Sequence, residues 1–325
     1  MTGFRFKTAA GGILEHLVGR TSRRIGLSAL VIMAVAAYSA PARADLIPLG
    51  DASNYAVLYE GTGGHNLQIT NVTINGNIGV GGTGNVQFSG PGTINGSLGF
   101  SAANTGQYSN NNSGNVGPTS VSYNVGNVTA DLNAVNSLST AYSGGANLNL
   151  SYNNTTMTVN ESSGTLMTVD GVATRVFNVT GYQANNSSVL KIVGDGSGNP
   201  VVFNFAVGCG NYGNSNVNLG GSVVLAGTGL TSANQILFNF QSTNQNIQLT
   251  NNGQTFVGTI LAPNDAVSQD NSILNGHIFG GDSSDMQIVS GATIDSPSPV
   301  PVPATLLLLG PGLAGLGVIR KRVKK

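Results

Sequence analysis

Three short stretches of the chain repeat nearly the same pattern around an Asn-Gly pair. The stretches are TINGNIGVGG from Thr73, TINGSLGF from Thr93 and ILNGHIFGG from Ile273. In the first of them, Ile74, Gly76 and Ile78 alternate with polar residues, which is the period of a β-strand that buries one face. Weaker versions of the pattern occur at 221–225, 237–240 and 256–260. Strand centres therefore recur every 16–20 residues, mostly without a helix between them.

This spacing predicts an all-β fold, a right-handed parallel β-solenoid (β-helix), with a β-sandwich as the alternative. A solenoid is favoured because the repeats share one register, as stacked coils require, and because a period near 20 residues is typical of repeat architectures. Gly and Asn recur at matching places, where corners need left-handed backbone conformations and stacked Asn side chains form ladders. Only 8% of the residues are charged, as expected where like side chains stack about 4.8 Å apart and like charges repel.

One helix is predicted near 129–143. Thr129 is a good N-cap residue, and Asp131 would lie in the first turn, where the helix dipole favours an acid. An apolar stripe at three- and four-residue steps follows, formed by Leu132, Val135, Leu138 and Tyr142. Gly144-Gly145 would end the helix, which we expect to pack along the wall of the solenoid.

The charges are segregated along the chain. Of the thirteen basic residues, eleven lie in the first 44 or the last six positions. Between Asp45 and Asp295, two basic and twelve acidic residues leave a net charge of −10. Nucleic acid is excluded as a partner of this region, because phosphate binding needs clustered Lys and Arg.

The N-terminal basic residues precede an apolar run at 25–40 and the small-x-small motif Ala42-Arg43-Ala44. This arrangement predicts a signal peptide at 1–44, with signal peptidase cutting between Ala44 and Asp45. Ser22-Arg23-Arg24 also resembles part of a twin-arginine export signal.

The C-terminal end has the form of a membrane anchor. A Pro-rich stalk is predicted at 296–303 and a transmembrane helix with a basic tail at 304–325, the apolar run lying between Ala304 and Ile319. The basic residues that close the run are Arg320, Lys321 and Arg322. Under the positive-inside rule, this tail would stay cytoplasmic and the domain at 45–295 would lie outside.

The last 26 residues, VPVPATLLLLGPGLAGLGVIRKRVKK, resemble a PEP-CTERM sorting signal: a Pro-x-Pro, a short apolar helix and a basic tail. The resemblance implies processing around Pro301, Val302 and Pro303 by an exosortase-like membrane enzyme of Gram-negative bacteria that make exopolysaccharide. Val302 stands where that family has a central Glu.

The central region resembles the choice-of-anchor A surface proteins and, more distantly, the ice-binding-like β-solenoids. The stretches that carry this resemblance are LGDASNYAVL (49–58), VTINGNIGVGG (72–82), GDGSGNPVVFNF (194–205), ILFNFQ (236–241), FVGTILAPNDAV (256–267) and ILNGHIFGG (273–281). It implies a solenoid with one helix packed beside it, and a location at the cell surface.

A group of aspartates near the C-terminal end of the domain is the densest polar group, with His277 among them. Its members are Asp265, Asp270, Asp282 and Asp285. Carboxylates from neighbouring coils are candidate Ca²⁺ ligands or an acid–base pair acting on a sugar, although solvated corners explain them as well. No other cofactor is expected.

The loop from Gly194 to Pro200 is predicted to be a tight turn, because a strand-like run follows it and not the helix that a phosphate loop needs.

The expected function is that of an exported cell-surface protein with a structural or adhesive role in the envelope or exopolysaccharide matrix. An ice-binding protein is the first alternative, because threonines could form part of a water-ordering face: Thr70, Thr73, Thr155, Thr156 and Thr158. A carbohydrate-active enzyme is the second, but no Gly-x-Ser-x-Gly elbow is present, and the region offers only Arg175 and Lys191 as basic groups. We therefore expect no enzymatic activity.

Overall fold

A computed structural model describes residues 46–205, 209, 216–242, 245–281 and 284–297. Within these residues the chain forms 26 strands, one α-helix and four short 3-10 helices. The first strands are β1 (Tyr55–Tyr59), β2 (Asn66–Thr70), β3 (Thr73–Asn75), β4 (Asn77–Val80), β5 (Asn85–Ser89), β6 (Thr93–Asn95), β7 (Ser97–Ser101), β8 (Tyr108–Asn110) and β9 (Ser120–Val125). The next are β10 (Ala146–Ser151), β11 (Thr156–Asn160), β12 (Thr165–Val169), β13 (Val172–Gln183), β14 (Val189–Asp195), β15 (Val201–Phe205), β16 (Asn216–Asn218) and β17 (Ser222–Thr228). The last are β18 (Ile236–Phe240), β19 (Asn246–Thr250), β20 (Thr255–Val257), β21 (Thr259–Ala262), β22 (Ala266–Asp270), β23 (Ile273–Asn275), β24 (Ile278–Gly280), β25 (Met286–Val289) and β26 (Thr293–Asp295). The helix α1 spans Gly126–Ala141, and the 3-10 helices span Gly50–Asn54, Thr62–Gly64, Glu161–Ser163 and Ala233–Gln235.

The strands belong to four sheets whose pairing is parallel, except for the β12–β13 hairpin. The largest sheet has eleven strands, and we call it the covered sheet because a helix packs on its outer surface. Its order is β10-β13-β15-β18-β21-β24-β1-β4-β7-β9, with β12 beside β13. The seven-stranded sheet has the order β16-β19-β22-β25-β2-β5-β8. The five-stranded sheet has the order β20-β23-β26-β3-β6, and the three-stranded sheet the order β11-β14-β17. A regular coil visits the covered, seven-stranded and five-stranded sheets in turn, so the predicted parallel solenoid with one helix is confirmed.

The Asn-Gly repeat marks a corner, and not the middle of one strand as the alternation alone indicates. In the first repeat, β3 ends at Asn75, Gly76 makes the corner, and β4 begins in another sheet at Asn77. Ile74 and Ile78, on either side, are both fully buried. The preceding corner, between the seven- and five-stranded sheets, uses Asn in the left-handed conformation, as at Asn71 with φ 55°. Asn252 and Asn271 do the same, with φ 54° and 44°, which confirms the predicted role of Asn at corners.

The order of the coils in space differs from their order in the chain. The last coil packs on the first, because β24 pairs with β1, β25 with β2, and β26 with β3. We call these three pairings the closing seam. The first coils stack outward from the seam as far as β9, and the chain then reaches β10 at the opposite end of the covered sheet.

Helix α1 connects these two ends of the covered sheet and closes over its outer surface. Its 16 residues span about 24 Å. Four residues of the predicted stripe, Leu132, Val135, Leu138 and Tyr142, are buried, and they pack against a row of outward-facing apolar residues. The members of that row are Leu58, Val176, Val202, Leu237, Leu261 and Phe279.

The predicted helix start at Thr129 is wrong. The helix begins at Gly126 with Val125 as its N-cap, and no side chain caps it. Asp131 therefore lies beyond the first turn, where its side chain is buried and its pKa is raised, mainly by desolvation. Burial of Val128 against the covered sheet outweighs the weak helix propensity of Gly126 and Asn127.

The helix end is held by two buried asparagines of the covered sheet. Asn239 Nδ2 donates to the carbonyl of Ser139 at 2.9 Å and to Asn204 Oδ1 at 2.8 Å. Asn204 Nδ2 in turn donates to the carbonyl of Tyr142 at 2.6 Å. These bonds satisfy carbonyl groups that the last turn of a helix leaves without partners.

The core inside the coils contains stacked aromatic rings from successive strands of the covered sheet. Phe177, Phe203 and Phe238 stack with ring centroids 5.4 and 5.3 Å apart. Phe205 and Phe240 form a second stack at 4.4 Å. Because each coil contributes apolar side chains to this shared interior, no coil is stable without its neighbours.

Candidate functional site

The outer surface of the covered sheet is closed by helix α1 and by the segment from Ile47 to Ala52. Within the described residues, the sheet surfaces open to solvent are those of the seven-, five- and three-stranded sheets, together with the end strands β9, β10 and β12 of the covered sheet. Each presents every second residue of its strands to solvent.

The five-stranded sheet presents two rows of side chains in register. The first, the threonine row, consists of Thr255, Ile273, Thr293, Thr73 and Thr93. The second, the asparagine row, consists of Val257, Asn275, Asp295, Asn75 and Asn95. We call the two rows together the threonine–asparagine array.

The array is held rigidly from both sides. The residues between its rows point inward and are at most 1% exposed: Phe256, Leu274, Ile294, Ile74 and Ile94. On the outside, Asn95 Nδ2 donates to Asn75 Oδ1 at 2.7 Å, and Asn75 Nδ2 donates to Asp295 Oδ1 at 2.5 Å. These bonds confirm the predicted asparagine ladder. Equivalent positions repeat about 4.8 Å across the strands and about 6.8 Å along them, so hydroxyl, methyl and amide groups form a regular lattice.

The closing seam is what makes the array continuous. Thr293 of the last coil lies between Ile273 and Thr73, so coils from both ends of the chain form one row.

Of the five threonines that the sequence suggests for a water-ordering face, only Thr73 lies in this row. Thr70 lies on the seven-stranded sheet, Thr156 and Thr158 lie on the three-stranded sheet, and Thr155 precedes β11. The signal that would have found the row is the triplet Thr-Ile-Asn or Thr-Ile-Asp at 73, 93 and 293.

The seven-stranded sheet presents mainly amides. One outward row, the glutamine row, contains Gln248, Ser268, Gln287, Gln68 and Gln87 in register. Gln287 Nε2 donates to Gln68 Oε1 at 3.2 Å, and Gln87 Nε2 donates to Asn66 Oδ1 at 3.2 Å. This surface carries hydrogen-bond donors and acceptors but few charges.

The interpretation of Asp265 as a solvated corner is wrong, since its side chain is fully buried. Asp265 Oδ1 accepts from the backbone N–H of Gln245 at 2.8 Å, and Oδ2 accepts from Ser242 Oγ at 2.8 Å. Burial raises its pKa, and these hydrogen bonds oppose the rise. The carboxyl group therefore ties Ser242 and Gln245, which lie between β18 and β19, to the start of β22.

The structure separates the other predicted calcium ligands. Asp265 precedes β22 and Asp270 ends it, so the two lie at opposite ends of this strand. Asp285 accepts from the backbone N–H of Asn66 at 2.8 Å and lies 3.4 Å from His65 Nδ1. Asp282 lies outside the described residues. In the part of the chain that the structure describes, no three His, Cys, Asp or Glu side chains are close enough to hold a metal ion.

His277 does not belong to a solvent-exposed polar group either. It is fully buried at the closing seam, where Nδ1 lies 2.6 Å from the carbonyl oxygen of Tyr55 and Nε2 lies 2.8 Å from Asn234 Oδ1. Ser296 Oγ lies 3.3 Å from Nδ1. The ring thus joins the first coil, the last coil and the loop before β18.

The loop from Gly194 to Pro200 is a turn followed by strand β15, as predicted. Hydrogen bonds from Ser197, followed by smaller effects that include Arg175, lower the pKa of Asp195. Arg175 lies 3.6 Å from this carboxylate. The loop is therefore held by its own Asp195 and Ser197 and by Arg175 and Glu161 outside it.

The predicted signal peptide, its cleavage between Ala44 and Asp45, and the C-terminal stalk beyond Pro297 lie outside the described residues. The same is true of the sorting motif and anchor, 301–322. No helix between residues 46 and 297, where described, is both long and apolar enough to span a membrane.

Comparison with known proteins gives a family and a fold. The model of the ice-binding-like adhesive domain family matches residues 47–289. An ice-binding protein from the Antarctic ascomycete Antarctomyces psychrotrophicus superposes with a TM-score of 0.50 at 14% identity, covering 78% of this chain and 100% of that one. An ice-binding protein from an Antarctic biological consortium gives a TM-score of 0.46 at 16% identity, covering 78% and 92%. The ice-binding protein LeIBP from an Arctic yeast gives 0.48 at 18% identity, covering 80% and 98%. No curated protein matches the sequence significantly.

Proposed function

Because the chain belongs to the ice-binding-like adhesive domain family, we propose that it is a surface adhesive domain whose leading ligand is ice. The threonine–asparagine array of the five-stranded sheet is the proposed contact surface. The family and the shared fold favour this ligand over the exopolysaccharide matrix that the sequence alone put first.

The observation that carries the proposal is the threonine row, which extends in register over five coils. A threonine on a strand has few χ1 rotamers, so its hydroxyl and methyl groups stay in place without a large entropy cost. Adhesion to a crystalline surface needs many such weak contacts at fixed spacing, because their sum and not any single bond gives the affinity. Within the two rows Asp295 is the one charged residue, so the surface demands little desolvation of ions.

The proposal is tested by replacing one threonine of the row with a lysine. Thr73→Lys places a long, strongly hydrated charge inside the array, between Thr293 and Thr93. We expect incorporation of the purified protein into slowly grown ice to fall at least about tenfold, or about 1.4 kcal/mol. Thermal hysteresis of the same samples should fall with it. Gln68→Lys is the matched control, since Gln68 lies on the same coil but on the seven-stranded sheet.

The result can contradict the proposal in two ways. If the unsubstituted protein is neither incorporated into ice nor shows thermal hysteresis, ice is not the ligand. If Gln68→Lys abolishes incorporation and Thr73→Lys does not, the contact surface is the seven-stranded sheet.

The adhesive role also includes export and surface display, for which the support is the sequence of the two ends. We expect mass spectrometry of the mature protein to find a product that begins at Asp45 and ends between Pro297 and Pro303, recovered outside the inner membrane. A product in the inner membrane that retains Arg320 to Lys325 would contradict exosortase-like sorting and leave the domain tethered in the periplasm.

A further inference from the structure

The seven-stranded sheet contains a cleft that the ice-binding proposal does not use. It has a volume of about 490 Å³ and lies across the outer side of β16, β19, β22 and β25. The side chains used in the argument below are those of Gln245, Asn246, Gln248, Ser268, Asp285 and Gln287. The volume is in the range of small-molecule sites, about 300–1,000 Å³.

Gln245 is the residue that points to a ligand. It lines the cleft, it is only 8% exposed, and its side-chain Oε1 is buried without a hydrogen-bond partner. Its backbone is fixed at the same time, because its N–H donates to Asp265 and its carbonyl accepts from the N–H of Ala266 at 2.9 Å. An unpaired buried acceptor costs about 1–3 kcal/mol, and a rotation of the Gln245 side chain that brings Oε1 to the cleft surface and onto a ligand hydroxyl would remove that cost.

The lining chemistry selects the class of ligand. Among the described residues that line the cleft, Asp285 is the only charged one, and it is an acid. Phosphates and acidic polymers are therefore disfavoured. Amides both donate and accept, a serine hydroxyl does the same, and a carboxylate accepts, so together they match neighbouring hydroxyl groups of a neutral sugar. Ala266, which also lines the cleft, offers an apolar contact for the C–H groups of a sugar ring.

The extent of the cleft favours a polymer. The first and last of its four strands, β16 and β25, are separated by three strand spacings, or about 14 Å. This distance is longer than one sugar ring. We infer that the cleft binds a short segment of a neutral polysaccharide, with Gln245 and Gln248 as hydrogen-bonding residues. The site lies on a different sheet from the threonine–asparagine array, so the inference does not depend on ice binding.

The inference is tested on the purified protein with neutral cello-, malto- and galacto-oligosaccharides, and with alginate as an acidic polymer. We expect at least one neutral series to bind and alginate not to bind, as measured by isothermal titration calorimetry. Gln248→Ala should weaken the binding at least about tenfold, in line with the loss of a central polar contact. Gln245→Leu should do the same. Gln87→Ala is the matched control, because Gln87 belongs to the same row but lies outside the cleft, and it should leave affinity within about twofold.

Three results would overturn the inference. They are failure of every neutral oligosaccharide to bind, unchanged binding by Gln248→Ala, and equal weakening by Gln87→Ala. Because Gln248 is only partly buried, its substitution tests the site even if Gln245→Leu does not fold. Thr73→Lys should keep sugar binding, which separates failure of this inference from failure of the ice-binding proposal.

Discussion

Gly276→Ala is expected to lower the free energy of unfolding by at least about 3 kcal/mol, the sum of backbone strain and overpacking. A Cβ atom at this corner would lie 1.9 Å from the carbonyl oxygen of Gly258 in the neighbouring coil. The backbone there has φ 153°, outside the region that residues with a side chain readily adopt. The obstacle is backbone that is itself hydrogen-bonded, because the N–H of Gly258 donates to the carbonyl of Asn275. The neighbouring coil therefore cannot move aside without breaking its hydrogen bonds to the coil that contains Gly276.

Urea unfolding of the purified protein measures this loss. Gly126→Ala is the control, since a Cβ atom at Gly126 meets nothing within 4 Å and the residue opens helix α1. That substitution should change stability by less than about 1 kcal/mol, and in the stabilising direction, because alanine is the better helix former. A loss below about 1 kcal/mol for Gly276→Ala would show that the coils can separate at this corner, against the close stacking described above.

The corner glycines illustrate how much of the fold the sequence allows one to predict. Their regular spacing predicts stacked coils, and the coils are present. The reason why these positions need glycine is a contact between coils. At Gly96, as at Gly276, a Cβ atom would clash with the backbone of the adjacent coil, and at Gly96 it would lie 2.1 Å from the carbonyl oxygen of Gly76. A local pattern can reveal that glycine is needed, but the atom that requires it belongs to another part of the chain.

The closing seam could not be predicted from local pattern, because strand pairing carries little sequence signal beyond alternation. Asn75 and Asp295, which share a hydrogen bond, are 220 residues apart in the chain. The threonine row and the cleft both depend on this long-range arrangement, since the row crosses the seam and Asp285 of the cleft wall is bonded to Asn66 of the first coil. The composition of the surface was predictable, whereas the assembly of the candidate sites was not.

Burial is the reason why the sequence pattern around Asp265 misleads. In sequence, Asp265 in a Pro-Asn-Asp segment reads as an exposed turn residue. In the fold, the N–H of Gln245 needs an acceptor, and the carboxylate of Asp265 provides it. A buried backbone donor must find a partner, and a carboxylate provides a strong one.

Acidification is expected to destabilise the fold through His277. Burial lowers the pKa of this imidazole from 6.5 to about 4, while the contact with the Tyr55 carbonyl opposes the shift. A neutral ring that donates from Nδ1 to the Tyr55 carbonyl leaves Nε2 as an acceptor. The Asn234 amide must then turn its NH₂ group toward Nε2, in place of the Oδ1 that lies 2.8 Å from it. Since the unfolded state binds the proton more readily, stability is fully present above pH 6.5 and is lost as the pH falls toward 4, by about 3 kcal/mol in total.

The contribution of His277 is separated from that of other groups by comparison with His277→Gln, which keeps hydrogen-bonding capacity but does not titrate in this range. Asp265, whose pKa is raised, changes stability in the opposite direction, because protonation relieves the cost of burying its charge. Both proteins contain Asp265 and the other carboxyl groups, so the difference between their stability–pH curves isolates the histidine. Between about pH 7.5 and pH 4, the unsubstituted protein should lose about 3 kcal/mol more than the variant. Parallel curves would mean that the imidazole has the same pKa in the folded and unfolded states. A smaller acid loss in the unsubstituted protein than in the variant would mean that the seam holds the ring as a cation.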